Sequence, residues 1–289
     1  DAEVTFTNVT YWSAKGINNT GSSAIKPSRS NREAGQNITV EIYDSNGQSV
    51  DNVTLVTDEN GQVTYSLLNN ENCLCKAYHI EDCYYTYAEY KDLGDFNRLQ
   101  KYINEAEEYS TLTLYRNYTF TPGFDDNLTN GIVIDKALTI NGNGHTIDAL
   151  QKARIFKVTA SSINITGLTF KNGNAYDGGA IYFENAISNS NINASFINNK
   201  ATQNGGANNF QGDVSNSTIN GTYTNNTAGW DGGANYFFDS VSGSTITGTY
   251  TNNKANGQNT YDGGGANYFF WDVSGSTITG TYTNNTANN

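Results

Sequence analysis

The tripeptide Gly-Gly-Ala recurs at Gly178, Gly205, Gly232 and Gly264, at intervals of 27, 27 and 32 residues. Ile192, Ile219, Ile246 and Ile278 keep the same intervals, and Phe196, Tyr223, Tyr250 and Tyr282 follow four residues behind each. A fixed period constrains a fold strongly, because each unit must bury its apolar face against a copy of itself. The longer last interval reads as a five-residue insertion in one turn, around Asn256-Gly257-Gln258-Asn259-Thr260. Upstream the pattern continues with a one-residue slip: Asn164-Ile165-Thr166 and Phe170-Lys171-Asn172 align with Asn191-Ile192-Asn193 and Phe196-Ile197-Asn198.

Each unit holds three short segments of β-branched and aromatic residues. In one they are Ala234–Phe238, Ser244–Thr247 and Thr249–Thr251, separated by Gly, Asn, Asp and Ser. Three strands per 27 residues match one rung of a right-handed parallel β-helix. Leucine-rich repeats need leucine, and a propeller blade needs about 40 residues or more. Residues 111–289 are expected to form about seven rungs. At about 4.8 Å per rung, the rod is roughly 30–35 Å long. The chain has few aliphatics, which alone sets it near the boundary of disorder. Its 20 tyrosines, 13 phenylalanines and 29 glycines point the other way. A rung needs only a few inward side chains.

An open solenoid end needs a cap. Residues 95–108 are the one convincing helix, with Phe96, Leu99, Ile103 and Ala106 on one face and Asp95 as N-cap. The domain boundaries are therefore 1–90, 91–110 for the helical cap, and 111–289, with first rungs at Thr111–Phe120 and Gly131–Ile140. Before residue 90, Val4–Trp12, Asn37–Tyr43, Val50–Val56, Val63–Leu68, Cys75–Ile80 and Tyr84–Tyr90 read as strands. Six short strands at such spacing indicate an immunoglobulin-like β-sandwich, with residues 13–36 a long loop or arm. The fold class is all-β.

Thr57-Asp58-Glu59-Asn60-Gly61-Gln62-Val63 resembles the turn-and-strand signature of invasin-type bacterial Ig-like modules. The succession Leu138–Asp148, Ala153–Phe156, Gly167–Phe170 and Gly178–Tyr182 resembles the large adhesin-like surface proteins of methanogenic archaea. This resemblance covers roughly residues 90–289, and residues 37–68 more loosely. It implies a secreted, wall-associated protein used for attachment, and it carries over no catalytic residue.

The net charge is −12, as −9 over residues 1–110 and −3 over 111–289. Binding to nucleic-acid phosphates is excluded on that balance. No apolar run approaches 18 residues, so neither a transmembrane helix nor a signal peptide is expected. With no methionine, the chain reads as processed or as a fragment, and the array as continuing past Asn289.

Candidate chemistry is sparse. His79 and His145 stand far apart and make no zinc site. A polysaccharide lyase needs a base beside a calcium-holding carboxylate cluster. Lys254 is the only basic residue beyond 200, although Arg154, Lys157 and Lys171 lie nearer the start. A hydrolase needs paired carboxylates about 5–9 Å apart. Asp177, Asp231 and Asp262 stand at equivalent turns, with Asn204 interrupting the file. Repetition alone produces such a ladder. Capping of their own turns is the first reading, and calcium bridging between rungs is the alternative. No other cofactor is indicated.

Alternation sends half of the aromatics near Gly-Gly-Ala inward and leaves an outward stripe beside Asn. Tyr182, Tyr236, Tyr268 and Trp230 are the candidates for binding a glycan or cell-surface ligand. The stripe would alternatively pack against another rod. Twelve Asn-x-Ser/Thr sequons mark glycosylation candidates: Asn8, Asn18, Asn37, Asn52, Asn117, Asn127, Asn164, Asn193, Asn216, Asn220, Asn225 and Asn284. Among Cys73, Cys75 and Cys83, one disulfide is expected, closed by Cys83 with either partner. The expected function is non-catalytic attachment at a cell surface or wall. The alternatives are a filament subunit, built from further copies of the chain, and a polysaccharide lyase or hydrolase.

Overall fold

In the computed structural model the described residues are 94–258 and 263–288 together with, in the first 93 residues, Gly35 and eight strands. Two compact units result, Asp1–Leu93 and Gly94–Asn289. The described residues are mostly β, with one α-helix and a parallel β-solenoid of about five turns rather than the seven rungs expected.

In the first unit every strand pairing is antiparallel. Arg29–Ser30, Thr10–Ser13, Tyr84–Lys91, Leu74–Glu81, Asn37–Tyr43 and Ser49–Val56 form a sheet in that order. Ala2–Phe6 pairs with Val63–Leu67. The expected strand Val4–Trp12 is therefore two strands, which join different sheets. Cys75 lies in Leu74–Glu81 and His79 in the same strand. Cys73 and Cys83 lie outside the described residues, and the disulfide expectation with them.

The second unit opens with the helix, Gly94–Glu105, which buries Phe96, Leu99 and Ile103. Phe96 meets Phe120 of the first rung edge to face, centroids 5.3 Å apart. Asp95 is not its N-cap. The Asp95 carboxylate accepts from Arg116 at 2.7 Å and from the Thr119 amide at 2.9 Å. The first-turn N–H groups of Phe96 and Asn97 donate instead to the buried Asp125 carboxylate, at 3.2 and 2.9 Å. That carboxylate also accepts from Thr121 N–H. Long-range capping of this kind leaves no local sequence signal.

The solenoid stacks four parallel sheets rather than the three segments read per unit. One begins at Ile132–Ile134 and runs through Phe156–Val158, Ile181–Phe183, Asn208–Phe210 and Asn235–Phe237 to Asn267–Phe269. A long sheet contains Asn164–Lys171, Asn191–Ile197 and Thr218–Thr224. The other two are ladders of two-residue strands, such as Val214–Ser215 on Val241–Ser242 and Lys200–Ala201 on Thr227–Ala228. Strands that short leave almost no periodic trace.

The register follows the repeat. Ile192 pairs with Ile219, and Phe196 with Tyr223. The one-residue slip is a bulge: Ile165 pairs with Ile192 but Phe170 with Phe196, and the shift falls between Thr166 and Thr169. After the insertion, pairing resumes with Asn267 opposite Asn235.

Inside, like side chains stack at the rung spacing. Phe183, Phe210 and Phe237 lie at centroid distances of 4.4 and 4.6 Å. Phe196, Tyr223, Tyr250 and Tyr282 repeat at 4.8 Å. A buried asparagine ladder runs through Asn199, Asn226, Asn253 and Asn285, with each Nδ2 donating to the next Oδ1 at 2.9–3.0 Å. Each also donates to a backbone carbonyl, as Asn226 does to Phe196. Just before each rung of this ladder stands an Asn at positive φ, namely Asn198, Asn225, Asn252 and Asn284.

Gly-Gly-Ala is explained by two constraints. Its first glycine takes φ of 57–69° at Gly178, Gly205, Gly232 and Gly264. Its second lies against the next rung, where a Cβ at Gly206 would stand 2.2 Å from the Gly233 carbonyl oxygen.

Candidate functional site

The turn file caps the next rung, not its own turn. Asp177 Oδ1 accepts the Asn204 amide at 2.9 Å, Asn204 Oδ1 accepts that of Asp231 at 3.3 Å, and Asp231 Oδ1 accepts that of Gly263 at 2.6 Å. Asp262 lies outside the described residues. Burial raises the Asp177 carboxyl above its ordinary value, against the lowering effect of the Asn204 hydrogen bonds and Arg154. Among the described residues, no three His, Cys, Asp or Glu side chains gather as metal ligands would.

The basic residues Arg154, Lys157 and Lys171 are engaged. The buried Arg154 guanidinium donates to the carbonyls of Asn130, Asp177 and Gly178. Lys157 pairs with Glu184 at 2.8 Å, and Lys171 with Asp148 at 3.5 Å. His145 sits in its glycine-rich turn, where its N–H donates to the Gly142 carbonyl at 2.8 Å.

The aromatic candidates divide between two places. Tyr182, Tyr236 and Tyr268 point outward from the sheet that starts at Ile132, with Asn209 between the first two. Arg154 covers the Tyr182 ring at 5.0 Å, and Tyr236 stacks on Tyr268 at 5.6 Å and 4°. Tyr236 is only 5% exposed. These rings close their faces on neighbours. Trp230, 47% exposed, projects from the turn instead.

What sequence reading missed is on the long sheet. There a groove of about 460 Å³ runs across successive rungs, lined by Gly144, Gly167–Thr169, Asn193–Ser195, Asn220–Thr222, Gly248 and Thr249. Between the walls lie Gly167, Ala194, Gly221 and Gly248. At Gly221 a Cβ would lie 2.1 Å from the Ala194 carbonyl oxygen, so the neighbouring rung excludes a side chain there. One wall is Asn193 and Asn220, and the other is Thr169, Ser195, Thr222 and Thr249. Period-two alternation puts residues i and i+2 on this same face. Thr222 Oγ1 donates to Ser195 Oγ at 2.8 Å, and Asn220 Nδ2 to Asn193 Oδ1 at 3.4 Å. No lining residue is titratable, so the site offers amides and hydroxyls only. A signal was present: Asn193-x-Ser195 and Asn220-x-Thr222 are equivalent sequons one repeat apart.

The remaining sequons scatter. Asn37, Asn52, Asn117, Asn127, Asn216, Asn225 and Asn284 are exposed, as is Asn193, whereas Asn164 and Asn220 are half-buried. Asn8 and Asn18 lie outside the described residues. Asn117 Oδ1 accepts the Thr146 amide, and Asn127 exchanges hydrogen bonds with Asn97.

No protein-family model matches the chain, and neither does any curated protein compared with it. No described helix is long and apolar enough to cross a membrane.

Proposed function

We propose that this chain is an extracellular attachment protein of a cell surface or wall, without catalysis. In this reading residues 1–93 are an immunoglobulin-like sandwich, and the solenoid is a right-handed β-helix that carries the binding face. The observation that carries the proposal is the groove on the long sheet. Its walls are two rows of amides and hydroxyls, and it contains no acid, base or nucleophile pair. Such a lining suits recognition of a hydroxyl-rich ligand, a glycan, rather than bond cleavage. The stacked core supports the same reading, since a rod with few internal degrees of freedom holds a binding face at a distance from its anchor. Exposed sequon asparagines, Asn193 and Asn225 among them, are glycan acceptors in this setting. The resemblance to adhesin-like archaeal surface proteins points the same way.

The test is retention of polysaccharides and wall preparations on the immobilised chain. We expect retention that falls at least tenfold in the Asn193→Ala, Asn220→Ala double variant, with no release of reducing ends or unsaturated products. Release of either product class would overturn the non-catalytic reading. Absence of retention together with regular fibres in negative stain would favour the filament subunit.

A further inference from the structure

We infer that the groove recognises a linear, uncharged glycan in several equivalent registers, roughly one sugar residue to each rung. This deepens the attachment reading and rests on it. The walls repeat because the strands stack in register. Asn193 pairs with Asn220, Ser195 with Thr222, and Thr222 with Thr249. A ligand therefore meets a hydroxyl at each rung as it advances about 4.8 Å, with an amide opposite it at the two middle rungs.

Three properties narrow the ligand class. First, every wall group is both donor and acceptor, which matches a polymer with hydroxyls on both flanks. The wall-to-wall hydrogen bonds, such as Thr222 to Ser195, orient the side chains before any ligand arrives. Second, no lining residue carries charge, and the chain as a whole is at −12. An anionic polymer would find no counter-charge and would be repelled at long range. Third, an extended peptide is mismatched. Its residues advance about 3.3 Å, so its side chains fall out of step with rungs about 4.8 Å apart. The groove also crosses the strands, so it presents no free strand edge for a peptide to join. A pyranose residue is close to one rung in length, so a short run of sugars stays nearly in step.

Equivalent subsites have a measurable consequence. The hydroxyl wall comes from four successive rungs, at Thr169, Ser195, Thr222 and Thr249, and the amide wall from the middle two, at Asn193 and Asn220. Affinity is expected to climb with each added sugar up to about four residues, as each fills a further rung. Beyond that length it should rise only by the number of ways the chain can be placed.

The probes are neutral linear oligosaccharides of two to eight residues, β-linked glucose, xylose and mannose series, titrated calorimetrically against the whole chain. Polygalacturonate oligomers of the same lengths serve as the charged comparison. We expect at least one neutral series to gain tenfold or more between two and four residues and less than threefold between four and eight. Polygalacturonate should bind at least tenfold more weakly. Thr222→Ala and Asn220→Ala should each flatten the length dependence, with circular dichroism and the melting temperature confirming an intact rod. Length-independent binding would overturn the inference, since it marks a single terminal-sugar site. Preference for polygalacturonate would overturn it as well. If wall material is retained but no neutral oligosaccharide binds, the register model fails and attachment stands. If neither is retained, both fail.

Discussion

The two ends of the solenoid core are built from different chemistry along the same columns. In the sheet that starts at Ile132, the inward position reads Ile132, Phe156, Ile181, then Asn208, Asn235, Asn267. On the long sheet the facing ring column reads Phe170, Phe196, then Tyr223, Tyr250, Tyr282. Both columns change from apolar to polar at the same rung. The Tyr250 hydroxyl donates to the Thr247 carbonyl at 3.3 Å, whereas the Tyr223 hydroxyl is buried without a hydrogen-bond partner. Asn208 Nδ2 donates to Asn235 Oδ1, and Asn235 Nδ2 to Asn267 Oδ1, both at 2.9 Å. The early rungs are held by apolar burial, which is non-directional. The later ones add amide ladders that make sense only in one register. A buried polar column specifies alignment in a way that a second phenylalanine file does not.

The ladder also has a loose end. Asn208 Oδ1 is buried without a partner, because the rung before it offers Ile181. The largest expected contrast follows from this. Phe156→Asn removes a fully buried ring and strands an amide among apolar neighbours, at a cost of about 4 kcal/mol or more. Ile181→Asn places a donor beside the orphan Asn208 Oδ1 and should cost about half as much. Urea denaturation of the two variants measures the difference. Equal losses would mean that the two regions do not differ as described.

Next in size is the outer asparagine ladder, which runs through both kinds of rung. Asn226 accepts from the Asn199 backbone N–H and Nδ2 and donates to Asn253 Oδ1 and the Phe196 carbonyl. Asn226→Ala leaves buried groups unpaired and is expected to cost about 2–4 kcal/mol by the same measurement.

A smaller, pH-dependent difference separates the regions. Burial pushes the Tyr223 and Tyr250 phenols well above their ordinary value of 10.0. The folded chain then keeps protons that the unfolded chain releases, so stability falls as pH rises past about 10 and is unaffected well below it. Each retained phenol steepens that fall by about 1.4 kcal/mol per pH unit. The Tyr223→Phe, Tyr250→Phe variant should therefore unfold at higher pH relative to its own neutral stability. Absorbance at 295 nm against circular dichroism would show phenol ionisation coinciding with unfolding in the parent chain.

The smallest effect concerns the turn file. Asp177 meets the Asn204 amide through one oxygen, which Asn keeps, and burial disfavours its charge. Asp177→Asn is expected to change stability by less than about 1 kcal/mol, and a chelator to leave the melting temperature unmoved. A clear fall with chelator would restore calcium bridging between rungs.

Much of the rod was legible. The spacing of Gly-Gly-Ala set the period, and the offset from Phe170 to Phe196 located the bulge. The Asn-Asn pairs at 198–199, 225–226, 252–253 and 284–285 carry the outer ladder in plain sight. Their two roles, one positive φ and one buried amide, emerge only when rungs are stacked. The helix was legible from Phe96, Leu99 and Ile103, but its cap was not. Asp125 is contributed from about 30 residues away, beyond any capping pattern. Alternation sends Tyr182 and Tyr268 to the outer side of their sheet, yet their ring faces are consumed by Arg154 and by stacking, which alternation cannot foresee.

Periodicity is a property of the chain, and it determined that identical units must stack, which residues face inward, and where glycine is obligatory. What surrounds a residue at a distance of one rung is not written in its neighbours. Only the stacked structure decided that Asp177, Asn204 and Asp231 cap the rung ahead, that the polar columns begin together at Asn208 and Tyr223, and that glycines of successive rungs line one groove. Each of these depends on contacts between residues some 27 positions apart. Hydrogen bonds and packing act over a few ångströms of space, whatever the separation along the chain.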